Sequence, residues 1–372
     1  MSTFTPFSAP IQPMLAKVAD QLPTEGDFLF EPKWDGFRAL VFRTSEGALI
    51  QSREGKPLNR YFPELEKVLI EALPKGCVLD GEIVVVSGTG LDFDALQQRV
   101  HPAASRIARL AKETPAAFVA FDLLAAGGKS TLELAQSERR VRLERLLGKT
   151  RPPVYLTPAT TDREQALDWF HRFEGAGLDG VMAKPAGAPY QPGKRTMYKI
   201  KHARTADCVV AGFRWYKERT DAVGSLLLGL YDDAGVLQHA GVTSSFTMPM
   251  REQLARELEP LREDAMKDHQ WRDWADGSAG AADRMPGEDQ DLRRMPGAQS
   301  RWSGGKDLRW EPLRPERVCE VKYDHLQGDR FRHATTFLRW REDKAPKDCR
   351  YDQLEITTAF ELAQVFGAVR KH

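Results

Sequence analysis

Cysteine is scarce in this chain, four among 372 residues, and no two of them form a CxxC pair. Cys77, Cys208, Cys319 and Cys349 are scattered, so neither a zinc cage nor a disulfide framework is indicated, and a reducing compartment fits. Long apolar runs are also missing. No stretch approaches the roughly 20 residues that span a bilayer. The opening MSTFTPFSAPIQPML has no basic segment leading into an apolar core, so no secretory leader is read there. A soluble, cytoplasmic protein is expected. An excess of one charge is absent too, since 54 basic and 53 acidic side chains leave a net +1. That balance alone announces no polyanionic partner, but it hides local clusters. The richest is KRTMYKIKHAR, with Lys194, Arg195, Lys199, Lys201 and Arg204 close together. Its plainest interpretation is a solvated surface strand.

What is present suffices for two cores, at 41% hydrophobic residues over this length. Up to about Lys201, short strand-like runs (FLFEPKWDG, FRALVFRT, ALIQSR, CVLDGEIVVV, AFVAFDLLA) mix with helical stretches predicted at 61–73, 137–147 and 164–175. This pattern indicates an α+β domain over 1–202. After His202 the strands ADCVVAGFRW, SLLLGLYDDAGVLQHAGVT and VCEVKYDHL, a turn at 232–235, a helix near 251–262 and a last strand around 332–341 suit a small antiparallel barrel of OB type. That second domain is expected over 203–372, interrupted at about 262–301 by a flexible insertion rich in Ala, Gly, Asp, Arg and Pro, in which RMPG occurs twice.

The chemistry begins at Glu31-Pro32-Lys33-Trp34-Asp35-Gly36, where a lysine ends an apolar strand ahead of a turn. A neutral amine so placed could attack phosphorus. Taken alone, the pattern is more often a surface turn. Its weight comes from the further motifs downstream, which keep a fixed order. Arg38 and Arg53 offer forked donors to phosphate or ribose oxygens. Glu82, in Asp80-Gly81-Glu82, could accept from a ribose hydroxyl or hold a cation, and Phe121 could stack on a flat base. Asp179, in LDGVMAK, adds a carboxylate, while Lys199 and Lys201 stand two apart and so share one strand face. Two facing ammonium groups call for an anion such as a triphosphate.

In this order the motifs resemble those of the covalent nucleotidyltransferase superfamily, over Glu31 to about Lys344. Within it, no evident region precedes the catalytic domain, and that arrangement with the stretch RFRHATTFLRWREDK looks most like bacterial ATP-dependent DNA ligases of type C. The resemblance implies an ATP-grasp-like nucleotidyltransferase domain with antiparallel sheets and flanking helices, followed by an OB-fold barrel. It implies that Lys33 forms the adenylate, Glu31 contacts the adenine amino group and Phe121 stacks on the base. Arg38 and Arg53 would hold ribose or nick phosphate, Glu82 and Asp179 ribose and metal, and Lys199 and Lys201 the α-phosphate. Arg341, Asp343 and Lys344, in RWREDK, would orient pyrophosphate. ATP is the implied co-substrate, with Mg²⁺ or Mn²⁺. Nicked duplex DNA is the implied partner, with a primase-polymerase or another repair factor allowed, for a monomer associated with a bacterial nucleoid. An RNA ligase, a GTP-dependent capping guanylyltransferase and an inactive OB-type binding module are the competing readings. Two departures stand out: Asp179 where most ligases carry glutamate, and Thr336 where a basic residue is usual. Glu174-Gly175 is a decoy, because the apolar strand comes after Asp179-Gly180 instead. A hinge is expected near 201–207, and Arg214, Trp215, Tyr216 and Lys217 could line a DNA groove or simply be strand residues.

Overall fold

A computed structural model describes residues 5–88, 90–202, 204–272, 309–324 and 326–354, together with Leu362 and Val365. The chain divides into two compact units, one of 1–202 with 357–372 and the other of 203–356. Each is α+β or β in the manner expected. The segment after 356 was expected with the barrel. Instead Leu362 and Val365 are buried in the first unit, in one cluster with Phe30, Trp34 and Trp169.

Two sheets build the first unit. The smaller runs Leu15–Ala19, Arg195–Ile200, Val181–Pro185, Phe28–Pro32, with only the first pair parallel. The larger is centred on Ala48–Ser52, Phe37–Arg43, Cys77–Ser87 and Ala116–Ala126, all neighbours antiparallel. Successive side chains of a strand alternate between faces. Ala39 and Val41 therefore pack with Leu65, Leu69 and Leu143 under the helices, whereas Leu40 and Phe42 pack with Met14 and Met197 toward the smaller sheet. Arg38 belongs to that second face, and the register sets it opposite Glu82 and Leu40 opposite Asp80. Arg38, Asp80 and Glu82 thus interrupt the apolar alternation on that second face.

The helices Pro63–Ala72, Gln136–Leu147 and Arg163–Arg172 correspond to the predicted ones within a few residues. Phe93–Gln98 and Ala104–Glu113 were not foreseen. Gln136–Leu147 buries Gln136, Arg139, Arg140, Leu143 and Leu147, a helical stripe in which two arginines take core positions.

In the second unit a five-stranded antiparallel sheet runs Leu237–Thr243, Val223–Tyr231, Arg204–Trp215, Glu311–Tyr323, Thr336–Trp340. Its two outer strands meet where Thr335 N–H donates to Val242 O at 2.8 Å and Thr243 Oγ1 donates to Thr335 O at 2.9 Å, so the sheet curls toward a barrel. Helix Met248–Leu258 packs against it, burying Leu254 and Leu258. The start of the expected insertion is not loose. Residues 262–272 carry Trp271, fully buried in the barrel core, whose Nε1 donates to Leu237 O at 2.7 Å. An indole with its one donor satisfied stabilises a segment whose composition reads as flexible. The remainder of that expectation, 273–301, lies outside the described residues. Among the described residues, no helix is long and apolar enough to cross a membrane.

Candidate active site

Lys33 comes directly after the last residue of strand Phe28–Pro32, and its backbone is tied down: Lys33 N–H donates to Gly180 O and Asp179 N–H to Lys33 O, each at 2.9 Å. Trp34, buried, fixes the next position through Nε1 to Thr157 Oγ1 at 2.8 Å. Two glycines are required by close approach. A Cβ on Gly36 would lie 2.2 Å from Ile83 O, and one on Gly180, where φ is +128°, would lie 2.0 Å from Ile200 O. The main chain around the lysine and the carboxylate opposite it is therefore held by backbone bonds, close glycine contacts and the buried Trp34.

Asp179, almost fully buried, pairs with both the Lys33 amine and Lys201 Nζ, the latter at 2.8 Å. Lys199 stands opposite Met182 in the adjacent strand register. Burial lowers its pKa first, and Lys201, Lys33 and Arg53 add to the effect. Those four cations accordingly lie near one another with Asp179 between two of them. Such a cluster makes the local field favourable to an anion. Arg53 sits just beyond strand Ala48–Ser52 and is exposed.

The larger sheet supplies the other wall. Arg38 forks onto Asp80 through Nε and Nη2 at 3.0 and 2.6 Å, and Tyr190 Oη donates to the same carboxylate at 2.7 Å. The Arg38 guanidinium carbon also lies 5.4 Å from the centre of the Phe121 ring. Burial pushes the Glu82 carboxyl up to about 8, with partial relief from Lys33 and Arg38. On the other wall Glu31, 2% exposed, contacts Lys184 Nζ at 2.7 Å and Arg140 Nη1 at 3.7 Å. Burial raises its carboxyl, and Lys184 and Arg140 oppose the rise. Lys184 Nζ further donates to Phe121 O at 3.0 Å and lies 4.7 Å from its ring centre.

Glu31, Lys33, Arg38, Arg53, Glu82, Phe121, Asp179, Lys199 and Lys201 all fall in the first unit, linked by ion pairs, a cation–ring contact and mutual electrostatic influence. Arg341, Asp343 and Lys344 belong to the second, where they form a cluster with Asp207. Among the described residues no group of three or more His, Cys, Asp or Glu could hold a metal by itself. A magnesium ion needs fewer, since it keeps waters and takes one or two carboxylates plus substrate phosphates. Glu82 and Asp179, both carboxylates and both influenced by the Lys33 amine, have the donor chemistry that demand calls for.

Sequence reasoning missed Lys184, Asp80, Arg140 and Tyr190. Lys184 and Asp80 stand inside strings whose neighbours drew attention, LDGVMAK and DGE. Arg140 and Tyr190 gave no signal, because a charged residue on a polar-looking helix and a tyrosine in a Pro-rich loop are ordinary on a surface. Arg214, Trp215, Tyr216 and Lys217 lie at the end of strand Arg204–Trp215 and just beyond it, where Trp215 packs on the barrel core and Arg251 covers the Tyr216 ring at 4.4 Å.

Known proteins match along the same division. The ATP dependent DNA ligase domain matches residues 13–201 and the ATP dependent DNA ligase C terminal region matches 219–344. The chain is 51% identical to DNA ligase C2 of Mycolicibacterium smegmatis over 94% of its length and 96% of that protein. It is 48% identical to DNA ligase C of Mycobacterium tuberculosis, over 98% of its length and 99% of the other. A solved structure from a structure-function analysis of Lig E DNA ligases superposes with a TM-score of 0.53 at 18% identity, covering 89% of this chain and 99% of that one, a likeness of fold.

Proposed function

The chain belongs to the ATP-dependent DNA ligases, and from that premise we propose that it seals 5′-phosphate to 3′-hydroxyl nicks in duplex DNA through a lysine adenylate. The observation that carries the reading is Lys33, its main chain bonded to Gly180 and Asp179 and its amine paired with the Asp179 carboxylate that Lys201 shares. In the first step Lys33 Nζ attacks the α-phosphorus of ATP. The new P–N bond forms as the bond to pyrophosphate breaks, and the amine's proton is lost. Lys199 and Lys201 offset the charge that builds on the phosphoryl oxygens. Glu82 and Asp179 are the carboxylates that would hold Mg²⁺, or Mn²⁺ in its place, and the ion would supply further neutralisation of negative charge.

Phe121 presents its ring to adenine, Glu31 accepts from the adenine amino group, and Arg38 and Arg53 take ribose and nick-phosphate oxygens. Arg341, Asp343 and Lys344 act on pyrophosphate as it leaves. The adenylyl group then passes to the 5′-phosphate, and the 3′-hydroxyl displaces AMP. The work is done by a monomer in the cytoplasm, on the nucleoid, in DNA repair and recombination, with a primase-polymerase or a similar factor supplying ends. DNA grip is mostly through phosphate contacts.

Incubation with labelled ATP or GTP, followed by denaturing electrophoresis, tests the nucleotide: label stays on the protein from ATP alone. Nicked DNA and nicked RNA duplexes, offered side by side, test the polymer. Retention of GTP label, or sealing of RNA in preference to DNA, overturns the reading.

A further inference from the structure

The second unit carries a cluster that the proposed chemistry leaves unexplained. An arginine has five N–H donors. Arg341 spends its Nε and Nη2 on the two oxygens of Asp343, each at 2.9 Å, and its Nη1 on both oxygens of Asp207, at 2.9 and 3.0 Å. Lys344 Nζ joins the same Asp207 carboxylate at 3.1 Å. A guanidinium so committed has no pair of donors left to fork onto a phosphate.

The two carboxylates are not alike. The Asp343 side chain is 66% exposed, in the turn after the last strand, whereas that of Asp207 is 12% exposed. Asp207 is also fixed from behind. Its strand neighbour in register is Glu320, its N–H donates to Gln353 Oε1 at 2.7 Å, and Gln353 Nε2 donates back to its carbonyl at 3.1 Å. Gln353 is steadied in turn by donating to Arg350 O at 2.7 Å. A carboxylate clamped at its backbone, with two cations gathered on its oxygens, presents to them what an anionic ligand would.

We infer that Asp207 is an internal counter-ion that competes with pyrophosphate for Arg341 and Lys344, and so weakens the enzyme's hold on the leaving group of adenylation. It is a positioning residue. Its carboxylate keeps the two cations ordered and together, and yields them when a polyphosphate with more negative charge arrives. This rests on the reading that Arg341 and Lys344 receive pyrophosphate. The consequence is directional: removal of the Asp207 charge strengthens pyrophosphate binding. A purely structural role would weaken it, because the cations would lose their alignment.

The test is the reverse of adenylation. Pyrophosphate oxygen attacks the phosphorus of the Lys33 adenylate, the P–N bond breaks, Lys33 recovers a proton and ATP is released. Purified adenylated enzyme is titrated with pyrophosphate and magnesium, and the loss of the adenylyl group is followed by intact mass. For Asp207→Asn the half-discharging concentration falls by about fivefold, the upper worth of a partly exposed ion pair. Asp207→Glu, which keeps the charge, stays near the parent value. An unchanged or higher half-point for Asp207→Asn overturns the inference. Should that variant melt below the assay temperature, Asp207→Ser is read in the same way. If the parent forms no adenylate, or pyrophosphate does not discharge it, the functional reading itself has failed.

Discussion

Lys184 and Glu31 show how a single buried pair can matter more than its sequence signal. Both are 2% exposed and their charged atoms lie 2.7 Å apart. Lys184→Met leaves the carboxylate buried without its closest cation, and breaking a buried pair from one side costs about 3–5 kcal/mol. Urea unfolding should therefore show a lowered midpoint with an unchanged slope, and an unchanged midpoint would contradict the pairing. Glu82 makes a different prediction. Its carboxyl is raised from 4.5 to about 8, chiefly by burial. The metal-free fold holds that proton more tightly than the unfolded chain. The group's stabilising contribution is therefore present below 4.5 and is lost as pH rises toward 8. Metal capture has the opposite sign, because the ion needs the carboxylate and expels the proton. The magnesium concentration that half-saturates adenylation should fall as pH approaches 8, and Glu82→Gln should abolish that slope. A slope that survives in the variant would assign it to another group.

At the scale of elements, the positions that fix the site are those where backbones nearly touch. Gly36→Ala would drive a methyl to 2.2 Å from Ile83 O, whereas a Cβ at Gly47 meets nothing within 4 Å. Gly36→Ala should lower both the melting temperature and the adenylation rate, and Gly47→Ala should change neither. Equal effects at the two positions would contradict the close-approach account. Trp271 tests the start of the supposed insertion. Truncation of a fully buried indole to alanine costs about 3–5 kcal/mol, so Trp271→Ala should destabilise the barrel as strongly as a central strand mutation. A near-neutral result would return 262–272 to the loops.

For the molecule as a whole, the period-two runs and the turn residues were enough to read two sheet-rich units and the change at His202. The nine first-unit candidate residues could be singled out because their motifs come in a fixed order, some at strand ends such as Lys33 and others, Glu82 and Phe121, in mid-strand. Asp80 and Tyr190 were not, because their role lies in supporting Arg38 from beneath, and such contacts join residues 110 apart in sequence. The ordered start of the insertion was hidden for a related reason: one buried indole, Trp271, anchors residues 262–272, whose average composition looks soluble. With a net charge of only +1, DNA affinity has to come from local clusters. Binding to a nicked duplex should accordingly fall linearly on a log–log plot against salt, by about 0.9 per phosphate contact neutralised. A salt-independent affinity would point to a different mode of grip.

The proposed mechanism rests on one covalent bond, between Lys33 and AMP. Intact mass of protein freed of bound nucleotide, then exposed to ATP and magnesium, should gain a single adenylyl group, and Lys33→Ala should gain none while remaining folded. A parent protein that never gains that mass, or a folded Lys33→Ala that does, would contradict it.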